Sequence, residues 1–308
     1  MDLRWLEDLE ALARIGHFAR AAETRLITQS ALSRRIQSLE TWAGAQLVDR
    51  TKHPIALTPA GRQFLETSRR IIDEAYDAQA RASSSARMTR DSIAIGAMHT
   101  LSLYFLPKLI KSLTQTVGAV STSVETVPRN IDEYLYNLRT GVSDFYVGYL
   151  HPEINFDVDP DQYPRLQIGT DRLVLCASDP ALFERFSASC EDPIPYLAFH
   201  PSSITHRIVK QCIERTPFRK RLNVVYRATL AEALHAAASL ELGVAWLPQS
   251  LLEGASGESG LHIFDGPWNE DLDILVFRSR SNERPIVNRI WNELERNSSG
   301  GQYRPMLT

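Results

Sequence analysis

The sequence contains little sulfur and no long apolar run. Its 308 residues include only three cysteines and four methionines. Cys176, Cys190 and Cys212 are odd in number and far apart, which excludes a disulfide framework and the paired spacing of a zinc site. No run of about 18 apolar residues occurs, so we predict no membrane span. The first residues also lack the pattern of a secretory signal.

The short motifs of several enzyme classes are missing as well. The sequence has no Gly-x-x-x-x-Gly-Lys phosphate loop, no His-Glu-x-x-His, no Cys-x-x-Cys and no Gly-x-Ser-x-Gly. Gly254, Gly257 and Gly260 are spaced by three in a Ser-rich stretch, which indicates turns rather than a nucleotide site. We therefore expect no catalytic residues, no cofactor and no metal, and a hydrolase is the weakest of the alternatives.

The charge is distributed unevenly along the chain. The formal net charge is −3, yet residues 1–90 carry 14 Lys and Arg against 11 Asp and Glu, and the rest carry 20 against 26. A basic excess at one end suits nucleic-acid binding, whereas a weakly acidic body does not suit a general coat protein for DNA. The length and a hydrophobic content of 44% predict two or three globular units.

Residues 16–61 contain the most informative pattern. A first helix from about Leu3 to Ala13 precedes it, with apolar residues recurring at spacings of three and four at Leu3, Leu6, Leu9 and Ala13. Gly16 permits a turn, and Thr28 is predicted to be the N-cap of a third helix. The short second helix between them is carried by Phe18, Ala21, Ala22 and Leu26.

The third helix has an apolar side and a polar side. Its inward positions are Leu32, Ile36, Leu39 and Ala43. Its outer positions are Gln29, Ser30, Ser33, Arg34, Arg35 and Gln37. Gln, Ser and Arg match base edges in the major groove, so we expect base or adjacent phosphate contacts from this face. Arg35 and the basic hairpin residues Arg50, Lys52 and His53 are expected at phosphates.

The same block resembles a known family, the LysR-type transcriptional regulators. The resemblance rests on an aromatic after Gly-x, paired alanines, Gln-x-Ala-x-Ser-x-x-Ile, Leu-Glu, Gly, Leu-x-x-Arg and Leu-Thr-x-x-Gly. It implies an α/β protein with an N-terminal all-α winged helix-turn-helix and an effector domain of two α/β lobes, like periplasmic binding proteins. The chain departs from the family at Ser30, where Pro is common, and at Val48, where Phe is common.

A long helix follows the hairpin. Thr58 and Pro59 are suited to the N-cap and first helical position, and residues 60–87 contain no proline. A heptad-like stripe runs through Phe64, Ile71 and Ala78 and in parallel through Ser68, Ala75 and Ala82. The stripe predicts a homodimer or homotetramer, and the alternative is packing of the helix on its own domain. Residues 83–91 are polar and indicate a hinge.

Beyond residue 91 the pattern alternates between strands and helices, which predicts two α/β lobes. Strands are expected at 92–97, 120–127, 144–149, 173–177, 196–199, 222–226, 243–246 and 272–277. Helices are expected at 103–113, 131–138, 180–186, 205–215, 230–240 and 286–294. The domain boundaries expected are 1–58, 59–91 and 92–308, with one lobe at about 92–165 and 268–296 and the other at about 166–267.

Polar loops follow several of the predicted strands. Ligands of open α/β sheets bind at the carboxyl ends of strands, so these loops are candidates for a small polar or anionic effector. The residues expected to bind it are His99, Thr100, Ser102, Arg129, Asn130, Phe199, His200, Ser202 and Ser203. Phe199 is alternatively a core residue, and His99 and His200 are alternatively structural.

The resemblance also implies partners and a compartment. We expect double-stranded DNA, a small effector and RNA polymerase as partners of a cytoplasmic bacterial protein. The stretches His99–Ser102 with Leu106-Pro107 and Gly243–Pro248 are similar to the hypochlorite-responsive branch of the family, so an oxidant sensor of the same fold is an alternative. A solute-binding module is the alternative of a different class, but it leaves the first 60 residues unexplained.

Overall fold

The computed structural model describes residues 1–86, 92–126, 131–152, 159–186, 191–254 and 260–298. The chain divides into two compact units, an N-terminal unit of Met1–Ala82 and a C-terminal unit of Ser83–Thr308. No helix in these described ranges is both long enough and apolar enough to cross a membrane.

The N-terminal unit is a three-helix cluster with a two-stranded wing and a long closing helix. Its elements are α1 (Leu3–Ile15), α2 (Phe18–Thr24), α3 (Gln29–Ala43), β1 (Val48–Asp49), β2 (Ala56–Leu57) and α4 (Pro59–Ala86). Strands β1 and β2 pair antiparallel. The Thr28 hydroxyl accepts the Ala31 amide at 3.2 Å, which confirms the predicted N-cap of α3. The Thr58 hydroxyl likewise accepts the Gly61 amide at 2.9 Å at the start of α4.

The core of this unit is built from the apolar faces of α1 and α3. Leu6, Leu9, Leu32, Ile36 and Leu39 are fully buried, as their spacing predicts. The prediction for Leu26 is wrong. Helix α2 ends at Thr24, and Leu26 lies beyond it with φ 54° and 78% of its surface exposed. The turn that ends α2 needs a left-handed residue there, and this orients the side chain away from the core.

Helix α4 packs on its own unit through a face that differs from the predicted stripe. Leu65, Ser68, Ile72 and Tyr76 are buried. Ser68 was expected on the stripe, but it lies inward and donates its hydroxyl to the Phe64 carbonyl at 2.8 Å. The remaining stripe is only partly covered, because Phe64 is half-buried while Ile71 and Ala78 are exposed.

The C-terminal unit alternates strands and helices. Its strands are β3 (Ser92–Ala97), β4 (Ser121–Glu125), β5 (Phe145–Leu150), β6 (Arg165–Ala177), β7 (Ile194–Phe199), β8 (Leu222–Ala228), β9 (Ala245–Pro248), β10 (His262–Phe264) and β11 (Glu270–Arg278). Its helices are α5 (His99–Tyr104), α6 (Leu106–Val117), α7 (Ile131–Arg139), α8 (Ile204–Glu214), α9 (Ala231–Ser239), α10 (Gln249–Gly254) and α11 (Pro285–Ser298). Short 3-10 helices lie at Pro180–Phe186 and Arg219–Arg221.

One strand, β6, is shared by the two lobes. In the first lobe β3 pairs parallel with β4 and β5, and β11 pairs antiparallel with β5. Residues 165–173 of β6 pair with β11, whereas its other end pairs with β9 and β10 in the second lobe. Strands β7 and β8 pair parallel in the second lobe, and Tyr196 bridges to Val244 beside β9. The return of the C-terminal strand to the first lobe is therefore confirmed.

Several predicted bounds in this unit are wrong. The strand expected at 173–177 begins at Arg165, because pairing with β11 extends it through a polar stretch. The helix expected at 103–113 is two helices, α5 and α6, that meet at Phe105. The strand expected at 243–246 begins only at Ala245, because pairing with β6 starts there and Val244 forms only an isolated bridge to Tyr196. Strand β10 and helix α10 were not predicted.

The core of the N-terminal unit gives a direct stability test. Replacing the fully buried Leu32 by Ala is expected to lower the free energy of unfolding of this unit by about 2–5 kcal/mol, because it removes packing and leaves a cavity. Leu26→Ala is the matched control and is expected to change it by less than about 0.5 kcal/mol. Urea unfolding of both variants measures the difference, and equal losses would contradict the fold at α2 and α3.

Candidate DNA interface and effector site

Helix α3 presents a polar face to solvent. Gln29, Ser30, Arg34 and Gln37 are exposed, and Ser33 is half-buried at the edge of the same face. The Arg34 Nε donates to the Ser30 carbonyl at 3.3 Å, so its guanidinium lies along the helix. A helix with exposed Gln, Ser and Arg on one side matches the donors and acceptors of a major groove.

A buried carboxylate holds α3 in place. Asp8 of α1 has no exposed surface, so its carboxylate lies in the core of the unit. Its Oδ1 accepts the Arg25 Nε at 2.9 Å and its Oδ2 accepts an Arg35 nitrogen at 3.2 Å. Arg25 also donates to Glu7 at 2.6 Å, and Glu7 accepts the Tyr76 hydroxyl of α4. The four helices are therefore joined by one charged network.

A second carboxylate positions the wing. One oxygen of Glu40 accepts the backbone amides of Leu47 and Val48 at 3.0 and 3.1 Å. The other accepts an Arg50 nitrogen at 3.3 Å, and the Arg50 guanidinium lies 5.5 Å from the centre of the Phe18 ring. This explains why Glu follows Leu39 in the motif, since a carboxylate there satisfies amides at the start of β1.

Close backbone approach explains one glycine of the motif. A Cβ on Gly61 would lie 2.0 Å from the Leu47 carbonyl oxygen, so no other residue fits where α4 begins against the wing.

The remaining predicted DNA-binding residues lie on the wing. Lys52 and His53 are exposed, and the Lys52 ammonium lies 4.0 Å from an Asp49 oxygen. Arg35 and Arg50 already bind carboxylates within the unit, which the sequence alone did not indicate. Both side chains retain about a third of their surface, 28% and 34% exposed.

In the C-terminal unit, part of the predicted effector site brings the two lobes together. The Thr100 hydroxyl of α5 donates to Glu232 Oε1 of α9 at 2.9 Å, and His99 Nε2 lies 4.0 Å from Glu232 Oε2. Residues of the two helices that follow β3 and β8 thus meet. The sequence does not indicate Glu232 as a site residue, because nothing in the stretch around it marks its proximity to Thr100.

A second carboxylate of this unit is hydrogen-bonded within the chain. Asp171 of β6 accepts hydrogen bonds from the Tyr149 hydroxyl and the Ser250 hydroxyl, both at 2.6 Å, and from the Ser250 amide at 3.1 Å. Burial raises the pKa of Tyr149 well above its usual value, and the charges of Asp171 and Glu232 add to this. The Asp171 oxygens are therefore occupied by partners within the chain.

The other predicted effector residues are placed differently. The Ser102 hydroxyl donates to the His99 carbonyl at 2.6 Å. His200 and Ser202 are exposed and hydrogen-bond each other at 2.7 Å, while Ser203 is the N-cap residue of α8 without a side-chain bond. Phe199 is a core residue, only 2% exposed. Among the described residues no hydrogen bond joins this loop to Thr100. Arg129 and Asn130 lie outside the described residues.

Two family profiles match the chain. One is described as the bacterial regulatory helix-turn-helix protein of the lysR family and matches residues 3–62. The other is described as the LysR substrate binding domain and matches residues 86–298, more than half of the chain. The chain belongs to the LysR family of transcriptional regulators. It is a DNA-binding regulator with an effector-binding domain and not an enzyme.

Similar LysR proteins extend over almost the whole chain. The HTH-type transcriptional regulator YjiE of Escherichia coli (strain K12) is 26% identical over 300 residues, which are 96% of this chain and 94% of that protein. The solved structure of VV2_1132, a LysR family transcriptional regulator, is 29% identical with a TM-score of 0.61 and covers 96% of this chain and 98% of that chain.

A hypochlorite-specific regulator shares the fold. Full-length HypT from Salmonella typhimurium is 24% identical with a TM-score of 0.56, covering 97% of this chain and 99% of that chain. In the present chain, the described cysteines Cys176 and Cys212 are fully buried. Burial raises the pKa of Cys176 to about 12 and the pKa of Cys212 to about 11, although the Arg215 charge opposes the shift at Cys212. Neither thiol is poised for oxidation. Cys190 lies outside the described residues.

The buried Asp8 gives a second test. Asp8→Ala is expected to lower the free energy of unfolding of the N-terminal unit by at least about 2 kcal/mol, because Arg25 and Arg35 lose a buried charged acceptor. Glu10→Ala, which removes a surface pair with the half-exposed Arg69, should cost less than about 1 kcal/mol. Thermal unfolding compares the two variants. If Asp8→Ala is as stable as the unchanged protein, the network does not hold α3.

Proposed function

We propose that the chain binds specific operator sequences through α3. The observation that supports this most is an exposed Gln, Ser and Arg face on a helix whose opposite side is anchored by Leu32, Ile36 and Asp8. The residues proposed at base edges or adjacent phosphates are Gln29, Ser30, Ser33, Arg34 and Gln37. Those proposed at phosphates are Arg35, Arg50, Lys52 and His53. For Arg35 and Arg50 the contact would use donors not directed at Asp8 and Glu40.

We further propose that three segments of the chain have separate roles. Residues 1–58 bind DNA, 59–91 form the dimerisation helix and hinge, and 92–308 bind the effector in two lobes. The exposed Ile71 and Ala78 of α4 support a homodimer or homotetramer, because an apolar heptad stripe is best covered by the same helix of a second copy. RNA polymerase is the proposed partner at the promoter, and the cytoplasm the proposed compartment.

The proposed effector is a small polar molecule bound between the lobes at Thr100, with His99 and Ser102 beside it. The hydrogen bond from Thr100 to Glu232 supports this place, since a ligand there touches both lobes. The loop at His200, Ser202 and Ser203, together with Arg129 and Asn130, is proposed as its outer part. Binding shifts the population of lobe arrangements, and this changes how the subunits engage DNA.

Selection from sheared genomic DNA tests the regulator function. The full-length protein is mixed with the fragments at about physiological salt, and bound fragments are sequenced. We expect a few sharp peaks that share a two-fold symmetric motif, since a symmetric dimer presents two copies of α3. Diffuse, salt-labile binding without a motif would contradict sequence-specific regulation, because phosphate contacts alone give that behaviour.

Point variants test the assignment of the α3 face. Ser33→Ala or Arg34→Ala is expected to weaken binding to a selected fragment by about 1–3 kcal/mol and to relax the motif at one position. Arg70→Ala removes an exposed arginine of α4 and serves as the charge-matched control. Fluorescence anisotropy of a labelled duplex measures each affinity. Equal losses for Arg34→Ala and Arg70→Ala would remove Arg34 from the reading face.

A further inference from the structure

The proposed effector site contains a carboxylate that is only half satisfied. Glu232 Oε1 accepts the Thr100 hydroxyl, but Oε2 is buried and accepts no hydrogen bond within the described part of the chain. His99 Nε2, at 4.0 Å, is beyond hydrogen-bond distance from it. A buried acceptor without a donor is costly and is characteristic of sites that bind something else.

A second unsatisfied atom lies one helical turn away. His235 follows Glu232 by three residues on α9, so the two side chains share a face of the helix. The Nε2 of His235 is buried and has no hydrogen-bond partner among the described residues. Burial lowers the pKa of His235, while the Glu232 charge opposes this, so the ring is held toward its neutral form and one nitrogen can accept.

The neighbouring charges disfavour an anion at this place. The Asp171 oxygens already accept hydrogen bonds from Tyr149 and Ser250, so Asp171 is not the ligand-binding carboxylate. In the described part of the chain neither Glu232 nor Asp171 has an ion pair with a lysine or arginine. An incoming carboxylate would be repelled by Glu232, whereas a cation would neutralise it.

We propose that the effector carries a protonated nitrogen, as an ammonium, amidinium or guanidinium group, which donates to Glu232 Oε2 while His235 Nε2 accepts from the same group. This rests on the proposed function, which places the effector at Thr100, and of the polar or anionic effectors expected from the sequence it rejects the anionic ones. Because Thr100 and Glu232 belong to different lobes, a cation bound to Glu232 bears directly on the contact between them.

Two probes of matched size and opposite charge test the class of ligand. Full-length protein with ¹³C-labelled histidine is titrated with propylammonium and separately with propionate at constant ionic strength. The ring resonance of His235, assigned with His235→Asn, reports binding. We expect a saturable shift with propylammonium and none with propionate. A saturable shift with propionate alone, or with neither probe, would overturn the proposal.

Variants of Glu232 identify the group responsible. Glu232→Gln is expected to weaken propylammonium binding about tenfold, equivalent to about 1.4 kcal/mol for one charge-assisted hydrogen bond. Glu232→Asp keeps the charge and is expected to retain the preference for the cation, which guards against loss through misfolding. Glu214→Gln makes the same charge change at an exposed position of α8 and is expected to have no effect. Unchanged binding in Glu232→Gln would overturn the assignment.

Genomic fragment selection separates this proposal from the regulator function. Glu232-dependent binding of propylammonium without any enriched motif would retain the cation site and reject the DNA-binding proposal. An enriched motif together with binding of propionate would retain the regulator and reject the cation site.

Discussion

The burial of Asp8 is the constraint on which the DNA-reading part of this protein depends. A carboxylate with no exposed surface must be paired, and Arg25 and Arg35 pair it from the end of α2 and from α3. The same network reaches α4 through Glu7 and Tyr76. Charge pairing therefore fixes the orientation of α3, and its polar residues remain on the solvent side because Leu32, Ile36 and Leu39 occupy the core.

In the C-terminal unit, continuity of strand β6 has a comparable role. Strands β6 and β11 belong to the sheet of the first lobe, and β6 continues into the second lobe beside β9 and β10. The lobes are therefore joined by main-chain pairing at one place and by side chains such as Thr100 and Glu232 at another. A ligand that acts on the side-chain contact can bias the lobes without breaking the sheet, which is what a population-shift regulator requires.

Local features of this chain were predictable from sequence, and long-range ones were not. The cap at Thr28, the start of α4 at Pro59 and strand β3 depend on neighbouring residues, and the pattern predicts each of them. The partners of Asp8 lie 17 and 27 residues away, and Glu232 is 132 residues from Thr100, so no spacing reveals them. Strand β6 extends through the polar residues 165–172 only because β11 pairs with it, which tertiary structure alone decides.

The ratio of specific to non-specific DNA affinity shows whether α3 reads base sequence. Full-length protein is titrated onto a duplex carrying the genomic motif and onto a scrambled duplex of equal length and composition, at about physiological salt. If α3 reads bases, the motif is expected to bind at least about 10³-fold more tightly. A ratio near one, with both affinities falling equally as salt rises, would show that the protein contacts only phosphates. It would contradict base reading by α3.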